Sequence, residues 1–174
     1  MPYGKLTPEM EEAIRPHVAD RHVWDVGAGD LVYARRLMEL GGFVIAADKK
    51  HMPDTPGIGT FRGTFQALAR TVRHFEVAFI SWPPNYPCHL GSVVSQAGVV
   101  IYLGQNSSER GTACGGPGFW GEVSRRPVLD VVEHLQNTLI VYGPGEDHTR
   151  EMLEEEREAY QCWFPGLIEA CKRF

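Results

Sequence analysis

The amino-acid sequence predicts an α/β fold, a doubly wound and mostly parallel sheet with helices on both faces, in a single domain spanning residues 1–174. Three observations predict it. Short apolar runs such as "FVIAAD" and "EVAFIS" lack two-residue alternation, as strands buried on both faces do. Segments of helical character separate these runs, which implies parallel pairing through crossovers. The first run also enters a tight glycine turn, "DVGAGD", and leaves it as a helix.

Each element has a local reason. Thr7 can cap a first helix, with Pro8 in its first turn, Glu9, Glu11 and Glu12 near the positive end of its dipole, and Pro16 disturbing or ending it. "HVWDV" reads as the first strand. "LVYARRLMEL" reads as a helix capped by Asp30 and stopped by Gly41-Gly42. "FVIAADKK", residues 43–50, is the second strand, and a loop containing Pro53, Pro56 and Gly57 follows. A short strand is expected near Gly59 to Arg62, and a helix from Phe65 to Arg73. "EVAFISW", "GVVIYLG" and "NTLIVYG" supply three more buried strands, with short helices at Leu90 to Ala97 and Val128 to Leu135. The acidic stretch Thr149 to Gln161 reads as a solvated surface helix.

Composition narrows the function classes. Lys and Arg number 17 against 22 Asp and Glu, a formal charge of -5, and no basic block occurs. Strong nonspecific attraction to a polyanion is therefore not encoded. The cysteines at 88, 114, 162 and 171 show no CxxC spacing, so reduced thiols are expected rather than a disulfide framework or a zinc ribbon. Cys88-His89 with Cys114 is a metal pattern too scattered to favour, and no metal is expected. With no signal-peptide pattern and no apolar run approaching the ~18 residues of a membrane span, a cytoplasmic protein is expected.

In doubly wound sheets a ligand sits beyond the carboxyl ends of the strands, near the point where strand order reverses. That directs attention to the turn of Gly27, Ala28, Gly29 and Asp30. Gly27 and Gly29 let a ligand approach the main chain, and the helix start offers free N–H groups. A dinucleotide fingerprint would need a third glycine where Val32 stands. Asp48 closes the second strand 19 residues after Gly29, close to the ~20-residue spacing of a carboxylate that accepts hydrogen bonds from a ribose diol. The loop "FISWPPNY" follows the fourth strand, and "GTACGGPGFWGE", residues 111–122, follows the fifth. The latter has two readings, a lid carrying Phe119 and Trp120 or a connection whose aromatics cover core.

"DVGAGD", followed by an acid closing the second strand, resembles motifs I and II of the class I S-adenosylmethionine (SAM)-dependent methyltransferases, which have a Rossmann-like fold. "FISWPPNY" is similar to the [DNS]PP[YFW] motif of the amino-group members. It departs from that motif because Trp82 separates Ser81 from Pro83, and because Asn85 delays the aromatic to Tyr86. The resemblance covers most of the chain. It implies SAM as cofactor, with Asp25 near its amino group, Gly27, Ala28, Gly29 and Asp30 shaping its pocket, and Asp48 on the ribose hydroxyls. Thr64 and Phe65 are weaker candidates for the adenine end. Ser81, Trp82, Pro83, Pro84, Asn85 and Tyr86 would border the transferred methyl. The implied activity is methyl transfer to an unidentified small molecule or other accessible nucleophile. Two alternatives stand beside it, a nucleic-acid adenine N6 methyltransferase, which the charge disfavours, and a noncatalytic SAM-binding partner subunit.

Overall fold

The computed structural model describes residues 5–84, 89–105 and 114–145. Thr7 accepts a hydrogen bond from the Met10 N–H at 3.3 Å and opens α1 (Pro8–Val18), whose Met10, Ile14 and Val18 form a buried stripe. The helix continues through Pro16 to Val18, so of the two expectations for Pro16 it does not end the helix there. A proline so close to a helix end removes only one late hydrogen bond, and the buried contact of Val18 outweighs it.

β1 (His22–Val26) is buried along its whole length and leads through the glycine turn to α2 (Val32–Glu39). Leu31, not Asp30, is the cap residue of α2, in a left-handed conformation with φ 65°. Burying the Leu31 side chain decides this, while the Asp30 carboxylate only reaches the Val32 N–H at 3.4 Å. At the other end the Gly41 N–H donates to Met38 O and the Gly42 N–H to Leu37 O, the Schellman stop that Gly41, at φ 95°, makes possible.

β2 (Phe43–Asp48), β3 (Gly59–Arg62), α3 (Phe65–Thr71) and β4 (Phe75–Ser81) follow. Then come α4 (Leu90–Ser95), β5 (Ala97–Gly104), α5 (Pro117–Val123), β6 (Val128–His134) and β7 (Asn137–Tyr142). The strands form one seven-stranded sheet in the order β3-β2-β1-β4-β5-β7-β6. The first five are parallel, and β7 runs antiparallel to both β5 and β6. Strand residues alternate between two cores. Val23, Val44, Val77 and Ile101 pack under α1 and α2 on one face, and Trp24, Ile45, Ala78 and Val100 pack under α3, α4 and α5 on the other. Helices therefore cover both faces, as the apolar runs predict.

The segment Val128 to Leu135 is a strand and not the expected helix. Its apolar spacing suits a helix, but Val128, Val131 and Val132 are β-branched and pair with β7 across a two-residue turn, Leu135-Gln136. Leu135 takes φ 56° there, the cost of a hairpin without glycine. α5 resolves the two readings of residues 111–122 where they are described: Phe119 is buried against Tyr102, at 5.4 Å between ring centroids, and Trp120 packs edge-on to both rings. These aromatics cover core. Residues 111–113, the acidic stretch 149–161 and "QCWF" lie outside the described residues.

Candidate functional site

Strand order reverses between β1 and β4, and beyond their carboxyl ends lies a cavity of about 430 Å³. Gly27 borders it from β1, and Asp48 and Lys49 from the end of β2. Gly63, Thr64, Phe65 and Gln66 wall it after β3, and Trp82, Pro84 and His89 close it from the region between β4 and α4.

The glycine turn is pinned to β2. Both the Gly27 and Ala28 N–H groups donate to Ala47 O, at 2.7 and 3.2 Å. Gly27 takes φ 85°, and a Cβ there would find only Phe65 Cζ, at 3.9 Å, so backbone conformation rather than crowding demands the glycine. The Gly29 N–H donates to Asp48 Oδ2 at 3.0 Å and the Lys50 N–H to Oδ1 at 2.8 Å. Each carboxylate oxygen retains acceptor capacity, because an ionised carboxylate has about four lone-pair sites. Thr64 caps α3 by accepting from the Ala67 N–H at 3.2 Å, which holds Phe65 and Gln66 at the first turn beside the cavity.

Asp25 behaves differently. It is fully buried on the α2 side of β1, off the cavity wall, and neither carboxylate oxygen has a hydrogen-bond partner among the described residues. Burial pushes its pKa up to about 7; the nearby Ala34 backbone opposes the rise, and the charges of Asp48 and Asp30 add to it. Beside it, burial pushes the half-buried Tyr33 phenol up to about 12, against a hydrogen bond with Trp82. Trp82 is itself strained, at φ 47° immediately before a proline. A left-handed conformation costs a non-glycine residue ~1–2 kcal/mol, and the surrounding contacts offset it. The Trp82 N–H donates to Leu103 O at 2.7 Å, and Pro83 O accepts from the Gly115 N–H at 3.1 Å. The post-β4 loop is thus tied to β5 and to the start of the α5 connection.

Of the sequence-predicted residues, Gly27, Asp48, Thr64, Phe65, Trp82 and Pro84 share the cavity wall. Gly29 touches Asp48, and Ala28 and Asp30 belong to the same turn. Ser81 ends β4 and Pro83 is buried beneath the loop. Asn85 and Tyr86 lie outside the described residues. Sequence reasoning missed Lys49, Gly63, Gln66 and His89. The first three adjoin residues already chosen at strand ends, and only His89 needed the folded loop to bring it in. Among the described residues no group of three or more His, Cys, Asp or Glu is placed to hold a metal ion, and no helix is long and apolar enough to cross a membrane.

No family model and no curated protein matches the sequence. Solved structures do match. An S-adenosylmethionine-dependent methyltransferase from Mesorhizobium loti is similar at 13% identity and TM-score 0.55, over 80% of this chain and 98% of that one. A ribosomal protein L11 methylase from Lactobacillus delbrueckii subsp. bulgaricus is similar at 13% identity and TM-score 0.56, over 83% of this chain and 81% of that one. A Sulfolobus solfataricus chain assigned as a type 11 methyltransferase gives 16% identity and TM-score 0.55, over 84% and 98%. The strand order, the antiparallel seventh strand and these likenesses together show that the chain has the fold of the class I SAM-dependent methyltransferases.

Proposed function

We propose that this chain is a SAM-dependent methyltransferase acting on a small molecule or another accessible nucleophile. The observation that carries the reading is the cavity at the strand-order reversal, with a left-handed glycine on one wall and the Asp48 carboxylate, oriented by two backbone amides, on the next. Those residues fit SAM. Asp48 would accept from the ribose hydroxyls through its remaining lone pairs, Gly27 would let the ligand approach the main chain, and Phe65 with Gln66 would face the adenine. Asp25, which the resemblance implies lies near the amino group, is off the cavity wall, so its part in binding SAM rests on that resemblance alone. Bound SAM supplies a methyl group already activated by its sulfonium. The chain's own residues then have to align the acceptor and exclude water. Trp82, Pro84 and His89, with Ser81 and Pro83 behind them, border that end, and Asn85 and Tyr86 belong to the same loop by sequence.

Trp82 supports an acceptor other than a nucleic-acid adenine. It occupies the place directly before Pro-Pro where amino-group members carry an acid, Asn or Ser, and an indole N–H donates but cannot accept from an amine. The charge of -5 points the same way. The same substitution favours, as a second reading, a subunit that binds SAM without turnover. We read residues 1–174 as one domain, and the free Cys114 thiol together with the unpaired cysteine spacing supports a reducing, cytoplasmic setting.

Calorimetric titration of the full chain with SAM and with NAD tests the proposal. Micromolar SAM binding, roughly -8 kcal/mol, with no NAD response is expected. NAD binding in its place would overturn it. Asp48→Ala should weaken SAM at least tenfold, and unchanged affinity would sink the ribose assignment. A folded Gly27→Val variant that still binds SAM would refute the position given to the turn.

A further inference from the structure

The two faces of β6 are covered unequally. On one face Val132 packs with the core beneath α1, and α1 residues Glu9 and His17 lie within electrostatic reach of His134 and Asp130. On the other face, cross-strand register places Val131 beside Ile140 and Val128 beside Tyr142. Ile140 and Tyr142 are buried, at 5% and 6% exposure, in the core that includes Phe119 and Val123 of α5. Val128 and Val131 remain 56% and 48% exposed, and Leu129, at the bulge between them, 49%. Among the described residues that cover stops at β7, and β6 presents three adjacent apolar side chains to solvent. Adjacent apolar side chains on an edge strand are exposed surface that a covering segment would bury favourably.

We propose that the chain's own C-terminal segment, residues 146–174, occupies this face. Three observations favour it over a second copy or a separate partner. First, the segment begins where the patch begins: a Cβ on Gly143 would lie 3.2 Å from Leu129, and one on Gly145 would lie 3.4 Å from Arg126. Second, the segment carries the large apolar residues Leu153, Tyr160, Phe164, Leu167 and Ile168, enough apolar surface to cover three exposed side chains. Third, its opening part is acidic, with Glu146, Asp147, Glu151 and Glu154, and the exposed Arg125 stands just before the patch. Reach is ample, since an extended chain spans about 3.3 Å per residue and β6 is only seven residues long. A second copy pairing β6 against β6 about Val131 would set Leu129 against Glu133 and Val128 against His134, a poorer match.

The test uses the full chain with Val131→Cys, reading maleimide labelling at that position by peptide mass spectrometry and oligomeric state by light scattering. Leu129→Cys serves as a second position if the first variant folds poorly. Labelling of a monomer at least tenfold slower than in urea, restored to the urea rate by adding Tyr160→Ala and Phe164→Ala, is the expected result. Fast labelling in the folded monomer would overturn the proposal, because the face would be uncovered. Slow labelling confined to a dimer would assign the face to a second copy. Slow labelling that persists in the triple variant would show that the segment's aromatic residues are not what covers it.

Discussion

At the amino-terminal edge of the sheet, Glu76 is buried but supplied: the His22 N–H donates to it at 2.9 Å, His22 Nδ1 lies 3.3 Å away and Arg21 3.7 Å away. At the same edge the buried Arg126 guanidinium donates to Ala97 O at 2.7 Å, Gly143 O at 3.0 Å and Val94 O at 2.5 Å. It thereby joins the end of α4, the start of β5 and the residue after β7. At the carboxyl edge, Asp25 is as deeply buried and neither oxygen is bonded among the described residues, while Trp82 sits in a strained conformation nearby. Buried polar groups are almost always paired, so an orphaned carboxylate is a cost carried at the edge of the sheet where the cavity lies, although Asp25 itself is off the cavity wall. The amino-terminal edge keeps its buried charges paired, and the carboxyl edge holds a buried carboxylate with neither oxygen bonded among the described residues.

That contrast can be broken or sharpened by four substitutions. Asp25→Asn has the largest expected effect, on pH dependence. Because burial raises the folded-state pKa to about 7, the carboxyl group contributes no penalty below its unfolded value near 3.8; stability falls as pH rises between those values and is flat above them. The loss is about 1.4 kcal/mol per pH unit, on the order of 4 kcal/mol across the window. Denaturant midpoints from pH 4 to 8 should show this decline in the parent protein and little of it in Asp25→Asn. A parent profile that rises over that range would show Asp25 to be partnered after all.

Arg126→Leu comes next. It strands three carbonyls and should cost about 3 kcal/mol in urea unfolding without altering SAM affinity in the folded protein. Glu76→Ala should cost about 2 kcal/mol by leaving the His22 N–H buried without its acceptor. An equal loss of stability from both carboxylate substitutions would erase the distinction between the edges. Smallest is Thr64→Ala, at the carboxyl edge but locally satisfied as a helix cap; a destabilisation of about 1 kcal/mol is expected by thermal denaturation.

Much of the site was legible in the sequence because its signals are local. Gly27 and Gly29 announce a turn, and Asp48 stands at the end of an apolar run at a recognisable distance from it. Strand and helix periods placed β1 to β5 and α2 to α4 within a few residues, since each buries a face that its own spacing defines. Local signals also misled. Val128, Val131, Val132 and Leu135 satisfy helical spacing, and nothing nearby says that β7 will arrive to pair with them.

By itself, then, the sequence determined the alternation of buried strands with helices, the glycine turn and the acid that faces it, because backbone conformation and hydrophobic period are properties of neighbouring residues. Only the tertiary structure decided that Val128–His134 is a strand, that Asp25 is buried with no hydrogen-bond partner among the described residues, that Trp82 is strained, and that His89 joins Asp48 around one cavity. Each of those depends on groups distant in the chain meeting at one place. Pairing register, desolvation and cavity shape exist only once the strands have been set side by side.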